Sequence, residues 1–240
     1  IFYLGHTATF FTNKLLLAGL IKERINPRME SMFAVGVDEM SWDDLNTTHY
    51  DWPAVEEVRA YRNSVRNTVD RLISEIPLTL PIGWDNPWWT ILMGIEHELI
   101  HLETSSVLIR QHALEYIKPH PGWEPCRKSG PAPQNQLIAV SAGTAHLGKS
   151  KTDPIYGWDN EYGSHVAKVP AFQASRYLVS NQEFLAFVQA NGYVMEACWE
   201  EEGRAWLSHV RAEHPTFWVR HGSEWRLRVM TEEVAMPWDW

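Results

Sequence analysis

The stretch EHELIHLE, Glu96 to Glu103, concentrates more potential chemistry than any other part of the chain. His97 and His101 stand four residues apart, so on a helix both imidazoles leave the same side about one turn from each other and can reach one divalent ion. Two inward-facing imidazoles on a buried helix each need a partner, and one metal satisfies both. Paired core histidines bonded to carboxylates are the competing arrangement. The same residues fit the H-E-x-x-H pattern of zinc peptidases, with Glu98 in the place of the water-activating carboxylate. The segment after it, LETSSVLIRQH, lacks the glycine and third histidine of the metzincin extension. A gluzincin-like ligand would come from a different, downstream helix, whereas Glu115 sits on the same predicted one.

A carboxylate close to the pair, Glu103, invites a site of two histidines and one acid. At the helical pitch it lies about 200° round from His101 and points away from the metal side, so it reads better as a structural acid or as one that orients a ligand. The third ligand is expected from another helix. His6, in the setting YLGH, stands on the inner stripe of the first one. His112 lies nearly in phase but about four turns further on, and His49 falls in a loop; neither displaces His6.

These residues need helices to hold them, and the first half of the chain reads as helical. A first helix is expected from Ile1 to about Arg24, with His6, Phe10, Asn13 and Leu17 on one face and Asn26-Pro27 ending it. It begins without a capping residue, and on that ground the sequence is expected to be a segment of a longer chain. Residues 26–51 have no sustained period and are expected to be a long functional loop. A second helix should run from Pro53 to about Glu75, with Val55, Val58, Tyr61, Val65, Val69, Leu72 and Ile76 as its apolar stripe. A third, capped by Asp85 or Asn86 and opened by Pro87, should continue to about Tyr116. Trp88, Leu92, Ile95, Leu99 and Leu102 form one row on it and Met93, His97 and His101 another, so it is expected inside a bundle. Three long helices want a fourth, which would lie upstream of Ile1.

Beyond Lys118 a Pro- and Gly-rich stretch reads as a linker. Strands follow at Leu137–Val140 and about His165–Val169, then a short helix from Asn181 to Ala190 capped by Ser180 or Asn181. The Trp-rich last fifty residues carry turn signals at Gly203 and Gly222.

The 240 residues, 45% hydrophobic and 21% charged, are enough for one or two folded domains. A net charge of −9 with no basic patch disfavours a nucleic-acid surface. Cys126 and Cys198 form no CxxC and fit a reducing, cytoplasmic setting. No apolar run approaches the roughly 18 residues of a membrane span.

Gly5-His6, the run PWWTILMGIEHELIHLETSSVLIRQ (Pro87 to Gln111) and YGWDNEYG (Tyr156 to Gly163) together resemble the non-haem iron sulfoxide synthases. Within that group the longer run resembles most closely the 5-histidylcysteine sulfoxide synthases of ovothiol biosynthesis; the ergothioneine enzymes are near relatives. Val140-Ser141-Ala142-Gly143 with Leu147-Gly148, and Arg176 to Phe184, are similar to the opening of the formylglycine-generating class, with Leu178 and Ser180 replacing its usual Pro and Thr. The cysteine pair of that class has no counterpart here.

The resemblance implies an α+β architecture. Residues 1–118 would form a DinB-like helical bundle lacking its first helix, 119–136 a linker, and 137–240 the first part of a C-type-lectin-like, formylglycine-generating-enzyme-like domain. It implies iron(II) held by His6, His97 and His101, O2 as co-substrate, and cysteine and histidine as small-molecule substrates. Glu96, Glu98 and Glu103 would be candidates to orient the imidazoles, and Asp159, Asn160 and Glu161 to line a substrate site or form a capped turn. The family's active-site tyrosine would lie outside the segment. Two alternatives remain at this point: an ergothioneine-type synthase acting on trimethylhistidine, and a zinc- and ligand-binding protein without redox chemistry. A bundle short of one helix exposes apolar side chains worth about 1.5–3 kcal/mol each when buried, so the segment alone is expected to be marginally folded and inactive.

Overall fold

The computed structural model describes residues 1–34 and 51–240. His49 and most of the long loop therefore lie outside the described residues. The elements in chain order are α1 (Phe2–Leu17), α2 (Pro27–Met32), α3 (Val55–Glu75), α4 (Pro87–Gln111), β1 (Leu137–Val140), β2 (Gly143–Leu147), β3 (His165–Val169), β4 (Phe172–Ser175), α5 (Asn181–Gln189), α6 (Glu201–Val210), β5 (Trp218–His221), β6 (Glu224–Arg228) and β7 (Glu233–Ala235). No described helix is long and apolar enough to cross a membrane.

One compact unit comprises residues 1–105 together with 145–167. Its core is built from Phe11 and Leu15 of α1, Met29 and Phe33 around α2, Val58, Tyr61, Val65 and Leu72 of α3, and Ile91 of α4. On α3 those four recur at three, four and seven residues, the stripe that the sequence predicts, although Val55 at its start is exposed. The buried hydroxyl of Tyr61 meets the hydroxyls of Thr9 and Thr12 at 3.2 and 3.3 Å, so α1 and α3 share a satisfied polar contact inside the core.

The first helix is shorter than expected. It stops at Leu17 because Gly19 takes φ +69°, and the amides of Gly19 and Leu20 turn back to the carbonyls of Leu16 and Leu15 at 3.0 and 2.9 Å. This is a Schellman ending, completed by Leu20 packing onto the core that contains Leu15. Leu17 is consequently 82% exposed and is not on the inner stripe. Asn26 does not end the first helix but caps α2, its side chain accepting from the Met29 amide at 3.2 Å ahead of Pro27. Between them Glu30, wholly buried, accepts from the amides of Ile25 and Asn26, both at 2.8 Å, and from Arg24 at 3.0 Å.

The α4 helix starts where the sequence predicts, with the Asn86 side chain accepting from the Trp88 amide at 3.0 Å, but it ends at Gln111, and Leu114–Tyr116 form a separate 3-10 turn. The Arg228 guanidinium donates to the carbonyl of His112 at 3.0 Å and occupies the helix end. The helix is not covered on both of the rows expected to lie inside a bundle: Ile95, Leu99 and Leu102 are 43%, 54% and 52% exposed, whereas Trp89, Ile91, Gly94 and His97 are buried. A helix apolar on two sides gives periodicity no means of choosing the inner one.

The second unit comprises residues 106–144 and 168–240. β1 and β4 pair antiparallel from Leu137↔Ser175 to Val140↔Phe172. β2 pairs with β3. β5, β6 and β7 form an antiparallel meander turning at Gly222, in the register Trp218↔Leu227 and Leu227↔Val234. The turn expected at Gly203 is absent: Gly203 lies within α6, whose first turn carries Glu201 and Glu202 at the positive end of the helix dipole. α5 is capped by Ser180, whose side chain accepts from the Glu183 amide while Glu183 reaches back to the Ser180 amide at 2.9 Å.

Candidate metal centre

His6 leaves the buried face of α1 and His97 and His101 leave α4, and their ligand atoms all lie within 4.8 Å of one another. The nearest pair is His97 Nε2 and His101 Nε2 at 3.1 Å. Among the described residues this is the group whose histidine, cysteine or carboxylate atoms converge; Glu98 and Glu103 do not join it, nor do Asp159 and Glu161.

Close approach of the helices depends on small residues. A Cβ at Gly94 would stand 2.0 Å from the Phe11 ring, so only glycine lets α1 and α4 meet one turn before His97. Gly5 likewise faces the Phe33 ring at 2.4 Å, which brings the Phe33 carbonyl to the next residue. That carbonyl accepts a hydrogen bond from His6 Nδ1 at 2.8 Å. Because a carbonyl can only accept, the His6 proton sits on Nδ1 and Nε2 keeps its lone pair.

Aromatic rings border all three imidazoles, two of them face to face. Phe10 stacks on His97 with centroids 3.8 Å apart and planes 9° apart; Phe2 stacks on His6 at 4.8 Å; Tyr3 lies 5.6 Å from His101. Phe2, His6 and Phe10 are spaced by four on α1, a repeat visible in the sequence once His6 is singled out.

Burial favours the neutral form of all three imidazoles. Burial lowers His97 to about 3, helped by His101, His6 and the Lys14 ammonium. Burial also lowers His6, against the Phe33 hydrogen bond, and lowers His101 together with His6, partly opposed by Glu98. Neutral imidazole is the form that coordinates a metal. The donor set fits one divalent ion: two Nε2 atoms face each other at 3.1 Å, a repulsive contact for two lone pairs unless a proton or a cation lies between them. The Nδ1 atoms of both rings are buried without a hydrogen-bond partner among the described residues, so no carboxylate orients them there. Glu98 instead stands 3.8 Å from the Arg62 guanidinium, and Glu103 is exposed.

Asp159, Asn160 and Glu161 form a 3-10 turn closed on itself. Asp159 accepts from the Asn160 amide at 2.9 Å and Glu161 from the Trp158 amide at 2.5 Å. Around this turn Trp84 and Trp89 pack against Tyr162 and Tyr156, with Trp89–Tyr156 at 4.7 Å and Trp84–Tyr162 at 5.5 Å. Burial pushes the Tyr156 phenol well above its usual range, with Glu96, Tyr162, Glu161 and Asp159 adding to the effect.

Residues 1–105 match the DinB superfamily and residues 125–227 the sulfatase-modifying factor enzyme 1-like domain. The architecture is thus α+β, a DinB helical bundle joined to a domain of the formylglycine-generating type. The chain is 27% identical over 204 residues to Ergothioneine biosynthesis protein 1 of Neurospora crassa, a match covering 78% of this chain and 23% of the relative. It is 25% identical over 208 residues to hercynine oxygenase of Mycolicibacterium smegmatis, covering 84% and 46%. It is 38% identical over 84 residues to hercynine oxygenase of Mycobacterium tuberculosis, covering 34% and 19%. The chain therefore spans less than half the length of these curated relatives.

Proposed function

We propose that this chain carries the metal centre of a non-haem iron, O2-dependent sulfoxide synthase of the ergothioneine type. Its substrates would be hercynine, a trimethylated histidine, and a thiol such as cysteine or its γ-glutamyl conjugate. The observation that carries the reading is the convergence of three imidazoles within 4.8 Å, in a chain whose relatives are named for hercynine oxygenation and ergothioneine biosynthesis. His6, His97 and His101 would hold iron(II), which when bound supplies an electron donor for O2 and open positions for an anionic thiolate. In the net reaction the thiol S–H and an imidazole C–H give way to one C–S bond, the sulfur gains one oxygen atom, and the second leaves as water with the two hydrogens.

The chain's own residues prepare that site before any substrate arrives. The Phe33 carbonyl keeps the His6 proton on Nδ1. The faces of Phe2 and Phe10 fix two of the rings and keep water from one side of them. Three uncharged ligands leave the ion's full charge to attract a thiolate.

A second reading is 5-histidylcysteine sulfoxide formation from histidine and cysteine. It is favoured by the run Pro87 to Gln111, which resembles the ovothiol branch; the names of the relatives favour hercynine. The test is product mass from the full-length protein with iron(II), O2 and either thiol, offered hercynine or histidine. A hercynine-derived sulfoxide is expected. Turnover of histidine alone would shift the assignment to the second reading, and no sulfoxide from either by an iron-loaded protein would remove both.

A further inference from the structure

We propose that Arg62 is a positioning residue that sets the spacing between the helix bearing His6 and the helix bearing His97 and His101; the proposal rests on reading the three imidazoles as one metal site. Arg62 projects from α3, yet it has partners on both other helices. Its Nη1 donates to the Leu4 carbonyl at 2.9 Å and to the Thr7 hydroxyl at 2.8 Å, and its Nη2 stands 3.8 Å from Glu98 Oε1. Leu4 and Thr7 bracket His6 on α1, and Glu98 follows His97 on α4. One guanidinium thus touches the immediate neighbours of a candidate ligand on each helix.

Arg62 leaves α3 among Val58, Tyr61 and Val65, all buried in the core. Other arginines of α3 act locally: Arg66 pairs with Asp70 at 3.7 Å and Arg71 with Glu75 at 2.9 Å, each on the same helix. The planar fork matters more than the charge. Two separate nitrogens reach two helices, which a lysine's single nitrogen cannot do.

The test is cobalt(II) titration of the full-length protein, reading the dissociation constant and the intensity of the visible d–d bands, which report ligand geometry. Arg62→Lys should weaken cobalt binding by roughly tenfold, the scale of losing an outer contact to a metal site, and change the band intensity. Arg66→Lys should change neither. Should Arg62→Lys fail to fold, Thr7→Val removes one of the two α1 contacts and should move affinity and spectrum in the same direction. Native affinity and spectrum in the folded Arg62 variant, or in Thr7→Val, would overturn the proposal even if the melting temperature falls. A His97→Ala protein that binds cobalt as tightly as the native one would remove the metal-site reading and this inference with it, whereas loss there beside an unaffected Arg62→Lys removes this inference alone.

Discussion

Phe10 and His97 lie face to face, 3.8 Å between centroids, and Lys14 sits 5.5 Å over the same Phe10 ring. The imidazole is thereby held in one plane by a side chain that has no polar atom of its own. Phe10→Leu keeps most of the apolar volume but removes the flat face. It is expected to leave the fold intact and to weaken metal binding by about tenfold, measured by competition with a chromophoric chelator.

Glu30 should contribute more to stability than the arginine it pairs with. Its carboxylate is wholly buried and satisfies two backbone amides, whereas the Arg24 side chain is 50% exposed. Glu30→Gln should cost roughly 1–3 kcal/mol, and Arg24→Ala less than about 1 kcal/mol after solvent screening. Urea denaturation of both variants measures the difference; equal losses would contradict it.

Gly94→Ala pushes a methyl group into the buried Phe11 ring, 2.0 Å from its Cε1. The expected loss is about 1–3 kcal/mol from overpacking. Phe11→Leu in the same chain should recover part of it, giving a double-mutant coupling of favourable sign. Additive losses would show that the two residues do not meet.

The Glu183 carboxyl is held below its usual 4.5 chiefly by the Ser180 amide, with the Ser180 hydroxyl adding to it. A depressed carboxyl stabilises the fold fully above its unfolded value, and that contribution is lost as pH falls through the lower folded one. Amide protection at the start of α5 should therefore decline on acidification below about pH 4.5, and Glu183→Gln should abolish the decline. Hydrogen exchange followed by mass spectrometry reads both.

How much of this was legible in the sequence depends on whether the signal was local. The spacing of His97 and His101 needs only the pitch of a helix. Ser180 three residues ahead of Glu183 announces a cap in the same way. His6 is different, since no local pattern ties it to a helix ninety residues away; it came from an inward stripe and a family resemblance. The end of α1 is written at Ala18-Gly19-Leu20, a quieter stop signal than Asn26-Pro27. Gly203 points in the opposite direction, because Glu201 and Glu202 in the first turn favour a helix start more than one glycine opposes it. On α4, Ile95, Leu99 and Leu102 are as apolar as the residues that are buried, and only the positions of the other helices decide between the faces. Phe33 and Arg62 were invisible as parts of the site, since one acts through a backbone carbonyl and the other through partners far away in sequence.

The bundle's unit takes in residues 145–167 after the chain has spent 106–144 in the other unit. Trp89 is covered by Tyr156 and Tyr162 from that returning stretch. During synthesis, at about 5–20 residues per second, all three histidines emerge before these tyrosines exist. The site's residues thus wait several seconds for the last pieces of their own unit, and throughout that interval two tryptophans of the bundle, Trp84 and Trp89, lack their tyrosine neighbours.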